Sequence, residues 1–162
     1  MAFRCRIATV AALALLGVAT SAPAQMPVPY GASITLSQAR PLVAAAIAEA
    51  ARNGWTVMVA VVDTGGNLVV FERMDNAQVG SIDVAIGKAR TANNFKRATK
   101  VFEDSVAAGR HVVLSVPNVV PVEGGLPIVV GDRIVGAIGV SGATSAQDGQ
   151  VARAALDALS EK

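Results

Sequence analysis

The chain reads as an α/β (α+β) protein, an antiparallel sheet of five strands with helices packed against it. Three observations predict this. Helical and extended segments follow in the order α-β-β-α-α-β-β-β-α. Neighbouring extended segments are joined by turns, whereas parallel strands need a crossover of a dozen residues or more. The helical segments carry apolar residues on one face, which must be buried against another layer.

Gln25–Ser33 holds Pro27, Pro29 and Gly31 and reads as an extended arm ahead of the domain. Thr35 and Gln38 form a capping box that opens a helix over residues 36–52, with Leu42, Val43, Ala46, Ile47 and Ala50 on its apolar stripe. Pro41 lies in the second turn and should loosen it, and Asn53-Gly54 stops the helix. Trp55–Val62 is a near-continuous apolar strand, and Leu68–Arg73 returns after the turn Asp63–Asn67. Ser81 opens a second helix running to about Arg97, and Thr99–Ala108 is a shorter one closed by Gly109. His111–Val116 reads as a third strand. Ile128–Val130 and Ile134–Val140 flank Gly131-Asp132 and read as a tight hairpin, because glycine supplies the positive φ of such turns. Ser145 and Asp148 open the last helix, with Val151, Ala155, Leu156 and Leu159 facing inward.

Residues 1–24 read as a signal peptide. Arg4 and Arg6 are its positive start, Ile7–Val18 its apolar centre, and Ala22-Pro-Ala24 its small-residue cleavage site. The apolar run is short for a membrane span, so none is expected after cleavage. The product is then periplasmic or secreted, and it keeps residues 35–162 as a single domain behind an arm over residues 25–34. Cys5 goes with the signal, so the mature domain relies on its core rather than on disulfides. Of fourteen Lys and Arg, two lie in the signal; the remaining twelve balance twelve Asp and Glu. A net charge of zero gives no nucleic-acid footprint, and with the apolar composition it favours a homo-oligomer.

The residues that could carry chemistry are few. His111 is the single histidine. It reads either as an axial ligand to haem iron or as an exposed residue at a strand end. With one His and no mature Cys, zinc is not supported. Lys88 and Arg90 lie mid-helix beside the apolar stripe and could meet carboxylates, whereas Lys96, Arg97 and Lys100 read as a solvated face. Glu123–Pro127 is expected to line a pocket. Gly124 and Gly125 remove side chains where a ligand or another backbone would approach, Pro127 stiffens the exit, and Glu123 could act as an acceptor or base. Ser141 could donate a hydrogen bond, but Gly-Val-Ser141-Gly-Ala143 lacks the second glycine of a nucleophile elbow and no His follows it. Asp63 and Asn67 read as turn residues. There is no phosphate-binding glycine motif.

Five blocks occur in order: Val59–Leu68, Phe71–Asp75, Ser81–Ala92, Gly124–Ile128, and Gly136–Gly142 followed by Asp148. Together they resemble the GlcG/HbpS-like family, which includes extracellular haem-binding proteins and a domain attached to some corrinoid adenosyltransferases. The resemblance covers about residues 33–160. It implies a profilin-like fold, with a five-stranded antiparallel sheet between helices, assembled into oligomers. It implies haem binding as the best-attested activity, in scavenging, sensing or haem and iron handling, and no single chemistry. Tyr30 is the other conventional haem ligand besides His111. The alternative is a periplasmic enzyme or accessory protein holding a small organic acid near Lys88, Glu123 and Ser141, at the Gly-Gly loop.

Overall fold

The computed structural model describes residues 28–160. The signal-peptide reading and the first part of the arm lie outside them. Helix α1 spans Leu36–Arg52, strand β1 Met58–Asp63, β2 Leu68–Arg73, α2 Ser81–Phe95 and α3 Lys100–Ala107. Strand β3 spans Gly125–Val130, β4 Arg133–Ser141 and helix α4 Ser145–Ser160. The strand order is β2-β1-β4-β3, with every neighbouring pair antiparallel.

The sheet is a middle layer with helices on both faces. Alternate residues of β1 explain its continuous apolar run. Val59 and Val61 face a core built with Leu42, Val43 and Ala46 of α1 and Val151, Ala152 and Ala155 of α4. Met58, Ala60 and Val62 face the other way, against Ala85, Ala89 and Ala92 of α2. A strand covered on both faces has no polar alternation to show. The capping box on α1 forms as the sequence predicts: Thr35 accepts from the Gln38 N–H, and the Gln38 side chain accepts from the Thr35 N–H at 2.9 Å. The β3–β4 turn has positive φ at both Gly131 (53°) and Asp132 (60°), the geometry that matches the twist of a two-residue hairpin.

One element differs from expectation. The sheet has four strands among the described residues, not five, because His111–Ser115 is a 3₁₀ turn. Gly109 turns the chain at φ 85° just before it and Pro117 closes it just after, so no extended run develops. Only Val113 points inward; Val112 and Leu114 are 63% and 61% exposed. The apolar composition that suggested a strand is therefore largely on the surface. The arm instead supplies a short contact with the sheet. Tyr30 bridges to Ile134, beyond the last β1 partner of β4, with Gly31 N–H donating to the Ile134 carbonyl at 2.8 Å.

Candidate functional site

The polar centre of the molecule is built on α2. Its apolar stripe faces the sheet, and Lys88 lies on that stripe, so its ammonium is carried into the interior. The side chain is 1% exposed. A buried ammonium needs a counter-charge and hydrogen bonds. Lys88 Nζ donates to Asp148 Oδ2 at 2.8 Å and to the Val140 carbonyl at 3.0 Å. Asp148 Oδ1 in turn accepts from the Ala143 N–H at 3.0 Å. The pair thus ties α2 to the end of β4 and to the first turn of α4. Burial pushes the Asp148 carboxyl upward; the Lys88 bond and charge and the Ala143 and Gly142 N–H groups pull the other way without cancelling it.

The Gly-Gly loop closes over this pair. Gly124 has φ 127°, and a Cβ there would lie 2.6 Å from the Val140 carbonyl oxygen and 2.9 Å from Lys88 Nζ. A Cβ on Gly125 would lie 2.4 Å from the Lys88 carbonyl oxygen. The backbone that approaches these glycines is the protein's own. Thr99 holds the loop from the far side: its Oγ1 accepts from the Gly125 N–H at 2.9 Å, and its N–H donates to the Gly125 carbonyl at 3.0 Å.

The expected site residues divide into groups. Lys88, Gly124 and Gly125 come together, with Asp148 and Thr99 added. Ser141 is buried at the end of β4, opposite Met58. Pro127 is half-buried in β3, opposite Ala137. Glu123 is half-buried at a cavity of about 230 Å³ beside Gly124, Gly125, Lys100 and Arg153. Its N–H donates to Glu103, whose other oxygen accepts from Ser145 at 3.2 Å. Arg90 is exposed on α2, where its Nε donates to the Gly66 carbonyl at 3.1 Å. Asp148 had a sequence signal, but it reads as a helix cap. Thr144 takes that role instead: Gln147 N–H donates to its hydroxyl, and its own N–H donates to the Gln147 side chain at 3.1 Å. That shift of one residue leaves Asp148 for Lys88. Thr99 carries no signal beyond a helix start.

The potential iron donors are differently placed. His111 is exposed at the start of the 3₁₀ turn, next to exposed Arg110. Residues three apart eclipse in such a turn, so Leu114 shares the imidazole's face. An accessible imidazole with apolar and cationic neighbours fits one side of a haem. Tyr30 fits less well: its hydroxyl donates to the Asn93 carbonyl at 2.7 Å, with Lys96 Nζ 4.2 Å from its ring centroid. Met58 is fully buried. Lys88 is committed to Asp148, which leaves Arg110 as the cation beside His111.

Residues 34–157 match the family model described as "Haem degrading protein HbpS-like". This chain is a member of the HbpS-like family. Protein GlcG of Escherichia coli K12 is 43% identical over 110 residues, covering 67% of this chain and 82% of GlcG. The crystal structure of HbpS superposes with a TM-score of 0.73 at 33% identity, over 80% of this chain and 92% of HbpS. The structure of a PduOC:haem complex superposes with a TM-score of 0.70 at 30% identity, over 78% of this chain and 94% of PduOC. In this HbpS-like chain the family blocks fall on β1, β2, α2 and the β3–β4 hairpin. The Lys88–Asp148 pair is where α2, β4 and α4 converge.

Proposed function

We propose that this chain is an exported haem-binding protein that works as a homo-oligomer, with His111 as the axial donor to iron. Family membership and a haem complex of a 30%-identical neighbour support the ligand. The observation that carries the donor is the exposed His111 imidazole, beside Arg110 and sharing a face with Leu114. Haem, when bound, supplies an iron centre tuned by that donor. The chain's residues supply the imidazole, an apolar surface and a cation for a propionate. Titrating the purified protein with haemin should give a saturable Soret band at one haem per binding site. A linear, unsaturable rise in absorbance would defeat the reading.

Export rests on the Arg4/Arg6, apolar and Ala22-Pro-Ala24 pattern. N-terminal sequencing of the cellular product should begin at Gln25; a product that keeps Met1 argues against export. The cavity of about 230 Å³ at Glu123, Gly124 and Gly125 supports a second reading: Lys100 in its lining is paired with Asp104 at 2.6 Å, and Arg153 is the lining cation that could hold a small organic acid. That reading expects thermal stabilisation by small carboxylates and no Soret band.

A further inference from the structure

A larger cleft lies away from His111 and from the Lys88 centre. It has a volume of about 640 Å³, between the arm, the start of α1, the end of α4 and the β3–β4 hairpin. Cavities of roughly 300–1,000 Å³ are the usual size for small-molecule sites. Ile34, Val130, Val135 and Leu159 give it apolar walls, and Ser37 and Gln38 of α1 add neutral polar groups to the lining. Arg133 is the one charged residue among the described residues that line it. Its position is built in: Arg133 NH1 donates to the Tyr30 carbonyl at 3.3 Å, and its Cβ lies 2.9 Å from where a Gly31 Cβ would be. The arm therefore packs along the arginine stem and holds the guanidinium at the rim. Among the described residues the lining is a mainly apolar trough with a few neutral polar groups, one cation and no carboxylate, which suits an apolar tail ending in a carboxylate.

We infer that this cleft binds a single-chain fatty acid, with its carboxylate on Arg133 and its tail between α1 and α4 toward Leu42 and Leu159. The site stands independently of haem binding. Tail burial makes affinity depend on chain length.

Calorimetric titration of the purified protein with hexanoate, octanoate and decanoate tests this. Affinity should rise about fourfold per added methylene, the increment for a buried CH₂. Decanol should bind at least about tenfold more weakly than decanoate, for want of the charge-assisted bond. Arg133→Gln should bring decanoate down to the level of decanol while leaving decanol unchanged. Arg133 is exposed, so this variant should fold, and circular dichroism checks that. Ala158→Trp, which fills the trough from α4, should abolish binding of both. The inference is overturned by any of four results: no saturable binding, equal affinity for acid and alcohol, an Arg133→Gln variant that binds decanoate normally, or displacement of decanoate by haemin. A fifth overturns it by assigning the cleft to a second copy of the chain: light scattering shows that Ala158→Trp breaks an oligomer while decanoate never binds.

Discussion

At the scale of single residues, Lys88 and Asp148 are the most consequential pair, because each is stranded without the other. Their side chains are 1% and 3% exposed. Removing one partner of such a pair typically costs about 3–5 kcal/mol, most of it for the charge left behind. Lys88→Met should therefore lower the urea-unfolding free energy by about that much, and Lys88→Met/Asp148→Leu should recover a large part. A single variant losing under about 1 kcal/mol would mean water reaches Asp148. Asp63 makes a separate, pH-dependent contribution. Burial alone would raise its carboxyl, but N–H groups of Asn67, Gly65 and Gly66 and the Asn67 amide outweigh it, so the group sits below its usual range. A carboxylate depressed by folding contributes stability above its unfolded pKa of about 3.9, and that stability is lost as pH falls through the lower folded value. Asp63→Asn should flatten the fall in urea midpoint between pH 5 and pH 2.5; an unchanged slope would assign acid sensitivity elsewhere. The turn role of Asp63 is legible in sequence, because an Asx residue before two glycines bonds its own backbone. The role of Lys88 is only half legible. Helical spacing puts it on the inward stripe, but nothing local reveals that its partner lies sixty residues away on α4.

At the scale of elements, α2 lies close on β4 because small residues meet there. A Cβ on Gly139 would lie 2.1 Å from the Ala85 carbonyl oxygen and 2.5 Å from the Ala89 N–H nitrogen, both helix backbone. Gly139→Ala must lift the helix from the sheet, and a loss of about 3 kcal/mol is expected from overpacking of this kind. Thermal unfolding checks it; a Tm within a degree of the wild type would show that α2 moves away freely. The helices and hairpins are legible because their signals are local: a capping box on α1, glycines in the β1–β2 and β3–β4 turns, apolar stripes at helical spacing. The 3₁₀ turn at His111–Ser115 is misread as a strand for a physical reason. Apolar content does not distinguish a buried strand from an exposed apolar surface, and only tertiary packing decides where Val112 and Leu114 point.

At the scale of the whole molecule, the exposed apolar residues bear on assembly. Val112, Leu114 and Val79 are each more than 60% exposed, and Val129 and Val130 at the end of β3 are about half exposed. On a chain cleaved after Ala24, as proposed, the net charge would be zero; such surfaces then favour self-association, and light scattering should give at least twice the mass of one chain. A monomer at micromolar concentration would leave the surfaces to ligands alone. The five family blocks lie on the same core elements, so membership and fold are readable from sequence. The ligand is less so, because the donor proposed for it, His111, sits on the turn that local patterning misreads. Haem ligation through His111 is decided by titrating haemin into wild type and His111→Ala side by side and recording absorbance. Saturation is expected in the wild type, and a displaced Soret maximum with at least about tenfold weaker binding in the variant. No saturation in the wild type, or identical spectra and affinities for the two proteins, would contradict it.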